Sequence, residues 1–146
     1  MTYVPTTITN VNLNNNIYSN IFSLVEEYEV ANSYITVQDR EKNASYPLYT
    51  IFIPQINQQY TDNKRTTVSV PFSVNIDFDA LPGSGDWQKT AEMHDALRVG
   101  FETETTSLTS VGLTYKGSEI LSSEPIDVNG QQVFCRTVRF DFIVSL

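Results

Sequence analysis

Three aspartates are the residues of this chain whose spacing best suits a common binding site. Asp77 and Asp79 lie two residues apart in a run where apolar and polar residues alternate, so both project from one face of a strand. Asp141 has the same position in a second alternating run and could lie beside them on a neighbouring strand. Three carboxylates at close range would bind a hard divalent cation such as Ca²⁺ or Mg²⁺.

Alternation alone also predicts polar, exposed residues at those three positions. No histidine, oxygen-rich loop or calcium-loop spacing accompanies them. We therefore assign no metal site, and we expect Asp77 and Asp79 to be surface or interface residues.

The remaining candidates for catalysis are single residues. His94, the only histidine, falls on the apolar side of a helical pattern, and no carboxylate is placed by the sequence to orient it, so we expect a hydrogen-bonded core residue rather than a general base. Cys135, the only cysteine, lies in an alternating run and is expected to be a half-buried strand residue. Gly83-Ser84-Gly85 lacks the Lys-Ser/Thr pair of a phosphate-binding loop and is typical of a turn. We expect no catalytic residue, no bound cofactor and no enzyme activity.

Basic residues are few and scattered. Seventeen acidic and nine basic residues give a net charge of −8, which disfavours binding to phosphate backbones and anionic membranes by charge alone. Arg136 occupies a position of the last strand that should be apolar, so it either pairs with an acid at the sheet end or across a subunit contact, or extends its head to solvent. Asp62, Asn63, Lys64 and Arg65 form a hairpin tip and are candidate interface residues, as is Arg136.

The elements that must position these residues follow from hydrophobic periodicity. A helix is predicted at about residues 15–30, where Asn14 to Asn16 are suitable caps, and a second at 86–103 with Trp87, Met93, Leu97 and Phe101 on its apolar face. Strands are predicted at 34–40, 48–59, 65–80, 119–128 and 132–146, with turns at 61–64 and at Asn129-Gly130. Pro54 and Pro71 cannot donate ladder hydrogen bonds, which favours sheet edges or bulges there. The order predicts an α+β fold: an antiparallel sheet with a long β-hairpin and two helices packed on one face.

The 146 residues are enough for one domain. We expect residues 1–13 to be an extended N-terminal arm without its own core, either mobile or docked on a neighbour, and residues 14–146 to be a single α+β domain. No apolar run is long enough to span a membrane, and the first residues lack a basic start and an apolar core, so we expect a soluble protein made without an export signal.

Taken together, the order of these elements is similar to a known family. An Asn-rich arm, an amphipathic helix, a hairpin carrying Thr66 to Phe72, a helix opening with Gly85-Asp86-Trp87 and a closing hairpin with Arg139 to Phe142 follow one another. This chain resembles tail terminator (tail completion) proteins of tailed bacteriophages over about residues 14–146. The resemblance is one of element order and size.

The resemblance implies a structural virion protein without catalytic residues. Such subunits form a hexameric ring that caps the tail tube, stops its polymerisation and provides a surface that joins the tail to the head. It implies other copies of the chain, the tail tube protein and a head-tail connector or stopper protein as partners, with genomic DNA passing through the lumen without specific binding. The location would be the virion tail or neck, after assembly in the host cytoplasm. An alternative is another neck or tail protein, either a head-tail connector or a tail-tube subunit.

Overall fold

Three helices and a five-stranded sheet make up the described part of the chain. The computed structural model describes residues 3–9, 11–38, 45–56, 69–83 and 85–145. In chain order the elements are α1 (Leu13–Tyr28), β1 (Tyr34–Val37), β2 (Leu48–Phe52), β3 (Val70–Ala80), α2 (Asp86–Thr103), α3 (Thr105–Ser110), β4 (Leu113–Val128) and β5 (Gln131–Val144). The fold is therefore α+β, as the periodicity predicts.

The sheet has the strand order β1-β2-β3-β5-β4. β2 pairs antiparallel with β3 from Leu48 opposite Asp79 to Phe52 opposite Asn75, which is the pairing expected of the predicted hairpin. Its predicted tip at 61–64 lies outside the described residues. β4 and β5 form a second hairpin around Asn129 and Gly130, whose φ angles of 52° and 85° suit the tight turn that these residues favour.

Three features differ from the sequence expectation. β1 runs parallel to β2, so the sheet is mixed rather than antiparallel. A four-residue strand carries too little pattern to specify its direction. The short helix α3 was not expected, and β4 begins at Leu113, six residues before the predicted start.

Pro54 and Pro71 do not lie in the edge strands of the described sheet, but Pro71 lies where its strand has a described partner on one side only. β1 and β4 are the edge strands, whereas Pro71 lies in β3 and pairs with Ile143 of β5. Pro71 is tolerated in this central strand because β2 pairs with β3 only as far as Asn75, so β3 has no described strand partner on that side at Pro71.

One core joins the helices to a single side of the sheet. We call this side the helix face; on β5 it carries Val138, Phe140, Phe142 and Val144, all buried with residues of α1 and α2. The opposite side, the far face, carries Cys135, Thr137, Arg139 and Asp141 of β5. The two main helices therefore pack on one face, as predicted.

The N-terminal arm docks on its own chain through asparagine side chains. Asn20 is completely buried; its Nδ2 donates to the carbonyl oxygen of Thr6 at 2.8 Å and its Oδ1 accepts from the amide of Thr6 at 2.9 Å. The Nδ2 of Asn16 donates to the carbonyl oxygen of Thr7 at 2.7 Å. Tyr3 and Ile8 of the arm are buried. For residues 3–9, the expectation of an arm that is mobile or docked on a neighbour is wrong, because α1 itself binds their backbone.

Asn14 makes the equivalent contact with a different segment. Its Nδ2 donates to the carbonyl oxygen of Ile56 at 3.0 Å and its Oδ1 accepts from the amide of Ile56 at 2.7 Å. The residue at the helix cap is Asn12, whose side chain makes no capping bond. The asparagines predicted as caps therefore connect α1 to two extended segments instead.

Candidate functional site

The predicted site residues fall at one end of the sheet but on opposite faces. Asp79 of β3 lies opposite Cys135 of β5, and Phe78 lies opposite Arg136. Neighbouring strand residues project to opposite sides, so Asp79 belongs to the far face and Arg136 to the helix face. The other candidates, Asp62, Asn63, Lys64 and Arg65, lie outside the described residues.

Asp77 and Asp79 are buried, so the prediction of surface positions for them is wrong. Asp77 is 7% exposed and accepts a hydrogen bond from the hydroxyl of Thr137 at 2.7 Å. Asp79 is 0% exposed. Alternation identified the correct side of the strand, but a position on the far face is not exposed where other parts of the chain cover it.

The thiol of Cys135 lies in the same buried environment. Burial, which is the largest cause, and the nearby charges of Asp79 and Asp77 together raise the pKa of Cys135 to about 12. The thiol is therefore protonated at neutral pH, which makes it a poor nucleophile. Its assignment as a strand residue is confirmed, although it is buried rather than half-buried.

Asp141 does not join the other two aspartates. It lies opposite Ser73, whereas Asp77 lies opposite Thr137 four residues earlier on β5. The Asp141 carboxylate accepts from the hydroxyl of Ser73 at 2.7 Å and from Arg139 Nε at 2.9 Å, and Arg139 also pairs with Glu119 at 2.7 Å. In the described ranges, no group of three or more His, Cys, Asp or Glu residues is placed to hold a metal ion.

His94 lies in the aromatic core, as the helical pattern predicts. Its ring centroid is 5.8 Å from that of Phe78 and 5.9 Å from that of Phe140, and its Nε2 is 3.4 Å from the hydroxyl of Ser118. Burial lowers the pKa of His94, and the positive charges of Arg136 and Arg98 act in the same direction, while Asp95 opposes them. The imidazole is thus held neutral, without a carboxylate partner in the described residues that would orient it as a base.

Of the two glycines before α2, Gly85 lies beside a small cavity. Gly85 is the N-cap of α2 in a left-handed conformation, and Ser84 lies outside the described residues. The cavity beside Gly85, about 210 Å³ in volume, is lined also by Gln88, Lys89 and Glu92. Glu92 pairs with Lys89 at 3.7 Å, so the positive charge in this cavity already has a carboxylate beside it.

Arg136 is placed where the sequence predicted it, on the apolar side of β5. It is 6% exposed, and its Cζ lies 5.4 Å from the ring centroid of Trp87 on α2. Trp87 was expected on the buried face of α2 but is 63% exposed. The sequence could not show this exposure because Trp87 is in the first turn of α2, where the helix has reached the end of the sheet.

The two edge strands are the largest open backbone features. β4 is sixteen residues long, bends at register shifts near Lys116 and Leu121, and carries the exposed apolar residues Ile120 and Leu121. β1 is short and lies at the other side of the sheet. Edge strands present unpaired N–H and C=O groups that can pair with another chain. Sequence reasoning missed Ile120 and Leu121 as candidates, although two adjacent apolar residues among serines and glutamates are a signal.

No protein-family model and no curated protein matches this chain. None of the described helices is both long and apolar enough to cross a membrane. The proposed function therefore rests on the surfaces of the described residues.

Proposed function

We propose that this chain is a structural subunit that assembles head to tail with copies of itself into a ring, and that the ring caps a bacteriophage tail tube. The observation that carries the proposal is that two different strands, β1 and β4, form the edges of the sheet in the described part of the chain. A contact between two different surfaces, repeated by rotation, closes into a ring. The order of the elements, which resembles tail terminators, supplies the location at the tail or neck of a virion.

The edges differ in a way that suits such a contact. β4 is long and exposes Ile120 and Leu121, each nearly half accessible, whereas β1 is a four-residue strand. The register shifts that bend β4 disfavour unlimited strand pairing, whereas its exposed apolar residues favour contact with a partner. The net charge of −8 adds a second support, because an acidic wall repels phosphate and would let DNA pass through a lumen.

In this proposal the ring stops growth of the tail tube and presents its other side to a head-tail connector or stopper protein. The partners are other copies of the chain, six by analogy with tail terminators, together with the tube and connector proteins. The assembly would take place in the host cytoplasm before the virion is complete. The functional residues would lie in these protein–protein interfaces rather than in a catalytic centre.

The test is the mass of the protein in solution by light scattering over a concentration series, alone and with isolated tail tubes. A hexamer, six times 16.5 kDa or about 99 kDa, supports the proposal, as does a monomer that forms such a ring only on tubes. Open-ended polymers would identify a tube subunit instead. A monomer that ignores tubes would contradict the proposal.

A matched pair of variants tests the edge. Leu121→Lys places a charge on β4, where it should prevent assembly while the monomer stays folded. Val99→Lys is the control, because Val99 of α2 is 46% exposed and Leu121 is 47% exposed. Equal assembly of the two variants would remove β4 from the contact.

A further inference from the structure

Arg136 differs from the other described cations in its partners. Lys89, Arg98 and Arg139 each lie within 4 Å of carboxylates of their own chain, and Lys116 is exposed to solvent. Arg136 is buried, and among the described residues no carboxylate pairs with it. A buried charge normally requires a partner because desolvation disfavours it strongly.

The surroundings of Arg136 satisfy it only in part. The residue lies between Phe78 of β3 and Ser123 of β4 in the sheet register. The face of Trp87 covers the guanidinium at 5.4 Å, a favourable cation–π contact. Its Nε, however, is buried and has no hydrogen-bond partner. Leaving this donor without an acceptor is costly, so the described part of the chain does not fully satisfy the guanidinium.

The surface above Arg136 is unusual because it exposes the ring of Trp87. A tryptophan that is 63% exposed leaves a large apolar ring in water, and such residues are enriched where proteins bind one another. The neighbouring end of β3 holds a cavity of about 150 Å³, lined by Tyr46, Pro47, Ala80, Leu81 and Lys89. A surface with an exposed aromatic ring, a guanidinium and a small apolar cavity suits a segment that carries both a carboxylate and an apolar side chain.

We propose that Trp87 and Arg136 form the receiving half of the contact between two copies of this chain, binding a carboxylate-bearing segment of the second copy. The inference rests on the ring assembly proposed above. Charge complementarity selects the occupant: the chain carries an excess of acids, and exposed Glu26 and Glu124 have no cation partner in the described ranges. In the described ranges, these two carboxylates therefore lack a cation partner, and the buried guanidinium of Arg136 lacks a carboxylate partner.

Trp87 allows a direct measurement because it is the only tryptophan in the chain. Its fluorescence should be recorded with acrylamide as quencher over the same concentration series as the mass. In the monomer the exposed ring should emit at long wavelength and be readily quenched. On assembly the emission should shift to shorter wavelength and quenching should fall, because the second copy covers the ring.

Variants separate the two halves of the site. Trp87→Ala should raise the concentration needed for assembly about tenfold or more, with only a small loss of thermal stability, since most of the ring is exposed and the loss is limited to its contact with Arg136. Arg136→Met should weaken assembly similarly and abolish its salt dependence; Arg136→Lys, which keeps the charge but loses the planar fork, should fall between. Tyr18→Ala is the control, because Tyr18 is an exposed aromatic residue of α1 and lies away from this end of the sheet.

The outcomes distinguish this inference from the proposed function. A ring in which Trp87 stays fully quenchable, or which forms equally well with Trp87→Ala, overturns the inference and leaves the ring intact. A chain that remains monomeric both alone and with tail tubes overturns both. Where assembly requires tubes, co-sedimentation of the variants with tubes replaces the mass measurement, and equal retention of Trp87→Ala and Tyr18→Ala overturns the inference.

Discussion

The two faces of the β3–β5 strand pair obey the same alternation yet bury different chemistry. On the helix face, Phe78, Phe140 and Phe142 form an aromatic cluster with residues of α2. On the far face, most residues are polar; Arg139 and Asp141 are more than a third exposed at one end, while Asp79 is fully buried at the other. Alternation thus determines the side to which a residue projects, and the neighbouring parts of the chain determine whether that side is wet.

The largest effect should come from the centre of the helix face. Phe140 is completely buried and lies within 6.5 Å, between ring centroids, of Phe78, His94, Phe101 and Tyr115. Phe140→Ala should lower the free energy of unfolding by about 3–5 kcal/mol, because it leaves a cavity in the core. Denaturant unfolding measures this. Ile143→Ala, on the far face of the same strand, should cost clearly less, and equal costs would remove the distinction between the faces.

The second largest loss of stability should come from the close contact between α1 and α2, which pack on the helix face. A Cβ at Gly100 of α2 would lie 2.5 Å from Cγ of Tyr28, so Gly100→Ala forces α1 and α2 apart. We expect a net loss of about 1–3 kcal/mol despite the better helix propensity of alanine. Tyr28→Ala in the same chain should remove most of that loss, whereas Tyr28→Phe, which keeps the ring, should not. Additive effects of the Gly100 and Tyr28→Ala changes in a double-mutant cycle would show that the helices are not in tight contact.

His94 makes the helix face sensitive to pH. Its pKa in the folded chain is below the usual value near 6.5, so the unfolded chain binds a proton that the folded chain does not. The free energy of unfolding should therefore fall as pH decreases through 6.5 and level off below the folded pKa, by about 1.4 kcal/mol per unit of pKa difference. Chemical unfolding at pH 7 and 5.5 should show that this loss is smaller in His94→Gln. A parallel decline in both proteins would assign the pH dependence to other groups.

The smallest effect should come from the exposed end of the far face. Arg139 pairs with Glu119 and Asp141, but all three side chains are more than a third exposed. Arg139→Ala should lower the melting temperature slightly at low salt and leave it unchanged at about 0.5 M NaCl, where such pairs are screened. A large, salt-independent loss would mean that this end of the far face is as well covered as the end at Asp79.

Much of the fold could be predicted from the sequence because two strands and two helices have long, regular patterns. The alternations that contain Phe78 and Phe140 identified β3 and β5, and Asn129-Gly130 identified the turn of the last hairpin. The direction of β1 could not be predicted, since four residues do not fix strand polarity. The docking of residues 3–9 was equally hidden, because it depends on side-chain bonds from Asn20 rather than on any pattern within the arm.

The candidate site was only partly predictable. The position of Arg136 among apolar residues was visible in the alternation, and the structure confirms it on the helix face. The exposure of Trp87 and the burial of Asp77 and Asp79 were not visible, because each depends on where a helix or strand ends relative to its neighbours. Periodicity predicts the side of a helix or strand to which a residue projects. It does not predict exposure, which for Trp87, Asp77 and Asp79 depends on how near each residue is to the end of its element.

The hydrogen bonds of the α1 asparagines restrict which residues of this chain can change during evolution. Asn14 and Asn20 each use one amide to donate to a backbone carbonyl and accept from a backbone N–H, so they recognise Ile56 and Thr6 by main-chain atoms alone. The exposed side chains of the arm can change while these bonds remain, whereas Tyr3, whose hydroxyl also donates to Asn20 Oδ1, and Ile8 are buried. An ionised aspartate has no donor, so it cannot replace both functions of either amide. Distant relatives should therefore retain these two amides, six residues apart, while the exposed residues of the arm diverge.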